Sequence, residues 1–171
     1  MDTVRGLSPE MQRRAQRNLL VGLGMDERRG EFRRGDFLIR NLLGIDQERG
    51  TLAVGALPRV GQTLQFQLRD PATSRQELRR LLQAVSQPAH SIPLAGCLLF
   101  NCTGRGKSLY GTAHQDVKTI QMVSGKVPIG GFFCNGEIGP VGGTNFLHGY
   151  TASLGLFRPL HLPAPSPTPS A

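Results

Sequence analysis

The side chains best suited to chemistry gather in the second half of the chain. Cys102 is followed closely by Arg105 and Lys107. Cationic neighbours lower a thiol's pKa from its free value of about 8.5, so a reactive Cys102 is one reading. The other is a small, half-buried residue at a strand end. A cysteine nucleophile needs a base, and the histidines are the candidates. His148, in the run NFLHG, lies between a glycine-rich loop and a strand, where it can share a cleft with Cys102 or serve as a structural hydrogen-bonder. His90 falls in a Pro-flanked linker and His161 in the tail. Glu137 is the lone acid after Asp116, flanked by apolar residues, and must find backbone N–H groups, an arginine or a ligand amine. Arg105 suits a carboxylate and Glu137 an ammonium, the two ends of an amino-acid zwitterion. The alternative is that these two residues pair with each other or with loop backbone. Paired acids for hydrolysis and clustered metal ligands are both missing, so no catalytic residue, metal or cofactor is expected.

Two loops hold these residues. The first is 101–108 (NCTGRGKS), after an apolar strand; the second is 135–143 (NGEIGPVGG), after another. Loops leaving the carboxyl ends of sheet strands are common ligand sites, because backbone N–H groups and short side chains converge there. Gly106, Lys107 and Ser108 match the end of a phosphate-binding P-loop, but Asn101 stands where its first glycine belongs. A P-loop also opens directly into a helix, and residues 109–112 interrupt that. Nucleotide binding at 101–108 is therefore a lesser reading.

These loops need a scaffold. Ser8-Pro9-Glu10 is a helix start, with Leu7, Met11, Ala15 and Leu19 as its apolar stripe. Residues 19–25 and 36–43 read as strands, the second buried on both faces. Residues 61–70 alternate, with Leu64, Phe66 and Leu68 on one side. A helix capped by Thr73 or Ser74 runs to about residue 86, with Leu78, Leu81, Leu82 and Val85 facing inward. Residues 93–100 and 127–134 read as buried strands, 114–123 as a helix, and 150–157 as the last strand. Cys97 and Cys134 fall within apolar strands, where cysteine is most often an inert core residue. The expected fold is α+β with α/β-like layers: a mixed β-sheet with a few packed helices in a single domain.

Composition narrows the function classes. The 171 residues carry a net charge of +8, 39% apolar residues and 6% aromatics with no Trp. Aromatic platforms for single-stranded nucleic acid are poorly supplied, so no specific nucleic acid is expected. No run of about 18 apolar residues could span a bilayer, and the N-terminus lacks a signal-peptide core. Three cysteines without a CxxC pair suit a reducing, cytoplasmic setting. Glycine is the excess, 22 residues against a usual ~7%, concentrated in the second half.

Several separate motifs occur in order across residues 19–157. They are DFLIRN with LGID, GQ through Phe66 with Arg69-Asp70, CTGRG at 102–106, Gly130 with Phe132-Phe133, NGEIGP at 135–140 and NFLHGYT at 145–151. Together they resemble a FIST C-terminal domain. The resemblance implies a sensory module of intracellular signal-transduction proteins that binds small ligands such as amino acids. It implies a FIST N-terminal domain as partner, in cis or in trans, and an output protein whose identity the motifs do not give. Motif positions carried over as ligand-binding candidates are Cys102, Gly104, Arg105, Gly106, Asn135, Glu137, Gly139, Pro140, Asn145 and His148. The expected organisation is a helical connector at 1–18, the domain at 19–158 and a Pro-rich tail at 159–171. A cysteine-dependent enzyme using Cys102 and His148, and a protein-interaction module, are the alternatives.

Overall fold

A computed structural model describes residues 6–86 and 93–160. His90, His161 and the Pro-rich tail beyond residue 160 lie outside them. Helix α1 (Pro9–Asn18) starts as expected: Ser8 Oγ accepts the Met11 N–H at 3.4 Å, and Pro9 fills the first turn, where no N–H is needed. Ala15 on its stripe is buried.

The chain leaves α1 directly into β1 (Leu19–Gly24), one of two inner strands of an antiparallel sheet with β2 (Phe37–Asp46), β3 (Thr51–Val54) and β4 (Leu64–Leu68), in the order β3-β2-β1-β4. Val21, Leu23 and Leu38 form its core, with Phe66, Leu42 and Val54 packed around them. The expectation that β2 is buried on both faces is corrected. Only Leu38 is fully buried, and Leu43 and Ile45 are exposed. The physical reason is its antiparallel pairing, which leaves one sheet face open to water. Strand β3 had no sequence signal of its own; it is returned by a turn in which Asp46 Oδ1 accepts the N–H groups of Glu48 and Arg49, both at 3.0 Å.

Helix α2 (Pro71–Val85) begins two residues before the expected cap. Asp70 is the N-cap, and its Oδ2 accepts the Thr73 N–H at 2.7 Å. Leu78 and Leu82 are buried, whereas Leu81 and Val85 face solvent. A second sheet follows: β5 (Gly96–Cys102) pairs in parallel with β6 (Ile129–Cys134) and antiparallel with β9 (Ala152–Phe157). Between β5 and β6 the chain makes α3 (Gly106–Tyr110) and α4 (Gln115–Ser124). Leu78, Leu82, Cys97, Leu99 and Ile120 build the core between the helices and this sheet. Strand β5 extends past its expected end because its ladder with β6 continues to the Cys102↔Cys134 pair. Asn101 and Cys102 are therefore strand residues.

The second glycine-rich loop is not a loop. Residues 137–148 form a hairpin of β7 (Glu137–Val141) and β8 (Thr144–His148). Gly142 and Gly143, with φ of 57° and 81°, make the two-residue turn in a conformation side chains resist. The fold is α+β, with mixed and antiparallel sheets and four helices among the described residues.

Candidate functional site

The carboxyl ends of β5 and β6 carry chemistry on both faces of the sheet, because neighbouring strand residues point to opposite sides. On the helix face, Arg105 lies at the N-cap of α3 and turns inward. Its Nε and Nη2 donate to Asp116 Oδ2 and Oδ1 at 3.0 and 2.9 Å, and Nη2 also donates to the Tyr110 hydroxyl at 2.6 Å. Tyr110 Oη donates to Asp116 Oδ1 at 2.8 Å, and Asn101 Nδ2 to Oδ2 at 2.9 Å. All four residues are buried. Burial alone would raise the pKa of Asp116, but hydrogen bonds and charge from Arg105, with Asn101 and Tyr110, hold it below the usual value. Burial opposes the Arg105 charge, and the Asp116 carboxylate outweighs it, raising that group further. Burial also raises Tyr110, so its phenol stays a donor. The lowered carboxyl makes stability acid-sensitive in one direction. Its contribution is present above the unfolded carboxyl value near 3.8 and fades as pH falls through the lower folded value.

A cavity of about 420 Å³ opens beside this cluster, lined by Leu99, Asn101, Lys107, Ile129 and Phe133 among others. Asn101 is 5% exposed, and its Oδ1 is buried with no hydrogen-bond partner among the described residues. The ionised Asp116 only accepts, which fixes the amide with its nitrogen toward Asp116 and its oxygen unused. Lys107 stands exposed at the cavity wall with no carboxylate partner among the described residues. The lining thus brings together Asn101, the Lys107 cation and an apolar floor.

The opposite face holds Cys102, Cys134 and Glu137. Cys134 Sγ lies 3.4 Å from Glu137 Oε1, and Glu137 Oε2 accepts the Thr151 N–H at 3.3 Å. Glu137 is 2% exposed and makes no ion pair among the described residues. Gly104 donates its N–H to Cys102 Sγ at 3.4 Å, while its carbonyl accepts Arg69 Nη1 at 2.7 Å, and that guanidinium stacks over the Tyr150 ring.

The motif residues therefore divide. Gly106 lines the cavity; Arg105 supports it through Asp116 and Asn101. Glu137 and Cys102 lie across the sheet, so Arg105 and Glu137 are neither paired with each other nor both on the cavity wall. His148 Nε2 is 2.9 Å from the Gly139 carbonyl on its own hairpin, and no hydrogen bond joins it to Cys102. Pro140 and Asn145 face each other across the hairpin ladder, and Asn135 is exposed before β7. Residues 106–110 do open a helix, yet it is a single short turn, and Ser108 Oγ donates back to the Gly104 and Arg105 carbonyls. The motif reading omitted Asn101, Lys107 and Asp116. Asp116 carried a partial signal: it is the lone acid between Glu77 and Glu137, so it competed only with those two for Arg105.

Among the described residues no helix is long and apolar enough to cross a membrane, and no group of three metal-ligating side chains occurs. Residues 4–140 match the family described as FIST C domain. The uncharacterized proteins MT0656 and Rv0628c of Mycobacterium tuberculosis are each 42% identical over 156 residues, covering 91% of this chain. Mb0898c of Mycobacterium bovis is 42% identical over 158 residues, again 91% of this chain. The chain spans about two fifths (40%) of the length of these relatives. With the family match covering most of the chain and the motifs in order, the chain belongs to the FIST C domain family, a family of sensory domains in signal transduction.

Proposed function

We propose that this chain is a small-ligand sensory domain that takes an amino acid or similar zwitterion in the cavity beside Asn101, within the cytoplasm. The observation that carries the reading is the unpartnered Oδ1 of a 5% exposed asparagine on the wall of a cavity. A buried acceptor without a donor is unfavourable by about 1–3 kcal/mol, which a bound N–H recovers. The ligand's ammonium donates to Asn101 Oδ1, its carboxylate meets the Lys107 ammonium, and its side chain lies on Ile129 and Phe133. Arg105 is then a positioning residue: it fixes Asp116, which fixes the Asn101 amide. The domain proper is residues 19–158, with α1 as connector. It works with a FIST N-terminal domain, in cis or in trans, and passes occupancy to a separate output protein.

Calorimetric titration against an amino-acid panel tests this. The expected result is binding of apolar amino acids, weakened about tenfold, or ~1.4 kcal/mol, in Lys107→Ala. Lys107 is exposed, so the variant keeps its fold. No binding by the wild type, or equal binding by Lys107→Ala, rejects the reading.

A further inference from the structure

The second cluster, on the other face of the same strand ends, suggests a different chemistry. Cys102 and Cys134 are register partners in the parallel β5–β6 ladder. Register partners project to the same side of a sheet, and their Cα atoms lie about 4.8 Å apart, within the range a disulfide can bridge. Each is the last residue of its strand, and the Thr103 N–H donates to the Cys134 carbonyl at 2.9 Å, which holds the two strand ends together. Cys97, the remaining thiol, is buried in the helix-facing core.

We propose that Cys102 and Cys134 are a reversible oxidation site, converted by a hydroperoxide into an intramolecular disulfide, with Glu137 as the proton acceptor. Cys134 is the attacking thiol, because it is half-buried whereas Cys102 is 5% exposed, and because Glu137 Oε1 lies 3.4 Å from its sulfur. The Cys134 proton passes to Glu137, and the sulfur attacks the distal peroxide oxygen. The O–O bond breaks, and the leaving oxygen takes the proton from Glu137 and departs as alcohol or water. Cys134 is then a sulfenic acid. Cys102 Sγ attacks the Cys134 sulfur, the S–O bond breaks, and hydroxide leaves with the Cys102 proton as water. Two thiols lose two electrons and the peroxide gains them.

The setting keeps the pair quiet at rest. Desolvation, and then the hydrogen bond and charge of Glu137, push the Cys134 thiol above its ordinary range. Transfer of its proton to Glu137 leaves one negative charge in the cluster, which avoids the second charge that ionisation to solvent would create. Cys134 is half-buried at a strand end, and disulfides reached by solvent are the readily reduced ones. Oxidation is therefore undone by ordinary thiols.

The test is free-thiol counting on the intact protein before and after hydrogen peroxide, with the site of each change mapped by tandem mass spectrometry. The expected count falls from three to one, with Cys97 free, no chain-to-chain linkage, and full recovery with dithiothreitol. Cys102→Ser is expected to leave a sulfenic acid on Cys134 that dimedone traps. An unchanged count in the wild type, a Cys97 linkage, or a disulfide only between chains overturns the proposal. No ligand enters the assay, so its failure and that of the amino-acid reading are separate results.

Discussion

Asp116→Asn is expected to lower the unfolding free energy by about 3–5 kcal/mol, the penalty for leaving a buried partner charge uncompensated. The asparagine keeps the shape of the carboxylate but cannot balance the Arg105 guanidinium, which is 7% exposed and held there by the packing of α3 and α4. Its amide also turns a donor toward a cluster of donors: Arg105, Tyr110 and Asn101 all donate to Asp116. Urea unfolding gives the measurement. A loss under about 1 kcal/mol, the size of an exposed ion pair, would show that the guanidinium finds water or another acceptor. A double replacement, Arg105→Met with Asp116→Leu, is expected to be less damaging than the sum of its parts, because buried pairs stabilise little relative to apolar groups of similar size. The wild type should lose this stabilisation only below about pH 3.8, as the carboxyl begins to protonate.

Gly131→Ala should be about as severe, at the upper end of overpacking and backbone-strain effects, about 3 kcal/mol or more. Gly131 is the register partner of Leu99, and a Cβ there would overlap the Leu99 carbonyl oxygen and crowd its backbone. The contact is backbone against backbone within a ladder, so no side chain can swing away. Its φ of 144° is also one that L-residues rarely adopt. The adjoining Gly130 is the control. A Cβ there meets only Leu98 Cδ2 at 3.5 Å, so Gly130→Ala should shift the midpoint little. Equal midpoint shifts in the two variants would refute the steric argument.

Local chemistry made some elements legible and hid others. Ser8-Pro9 announces a helix in the sequence and starts one in the structure, because capping depends on neighbours a few bonds away. Asp70-Pro71 carried the same signal, and the strand assigned across Asp70 concealed it. The β7–β8 hairpin was unreadable because its polarity is inverted: Glu137 is buried and Ile138 is 68% exposed. Glycine and proline between them then read as loop. The motif order located the chemistry at the ends of β5 and β6, but strand pleat decided how it was shared. Asn101 and Cys102 are adjacent in sequence and serve opposite faces. The partner of Arg105 was hidden for another reason: α3 intervenes, and nothing local shows that α4 returns Asp116 to it.

The same inverted hairpin governs how the molecule comes apart. The two sheets have separate cores, and two separate cores tend to melt as two steps. Val141 and Phe146 of the hairpin pack against the core of the first sheet. Its other residues are tied to β9 and its approach: Ser153 Oγ donates to the Ile138 carbonyl at 2.8 Å, and Thr151 N–H to Glu137. Opening either sheet removes part of what holds the hairpin in place. The hairpin is a clasp, and it turns two small cores into one cooperative unit.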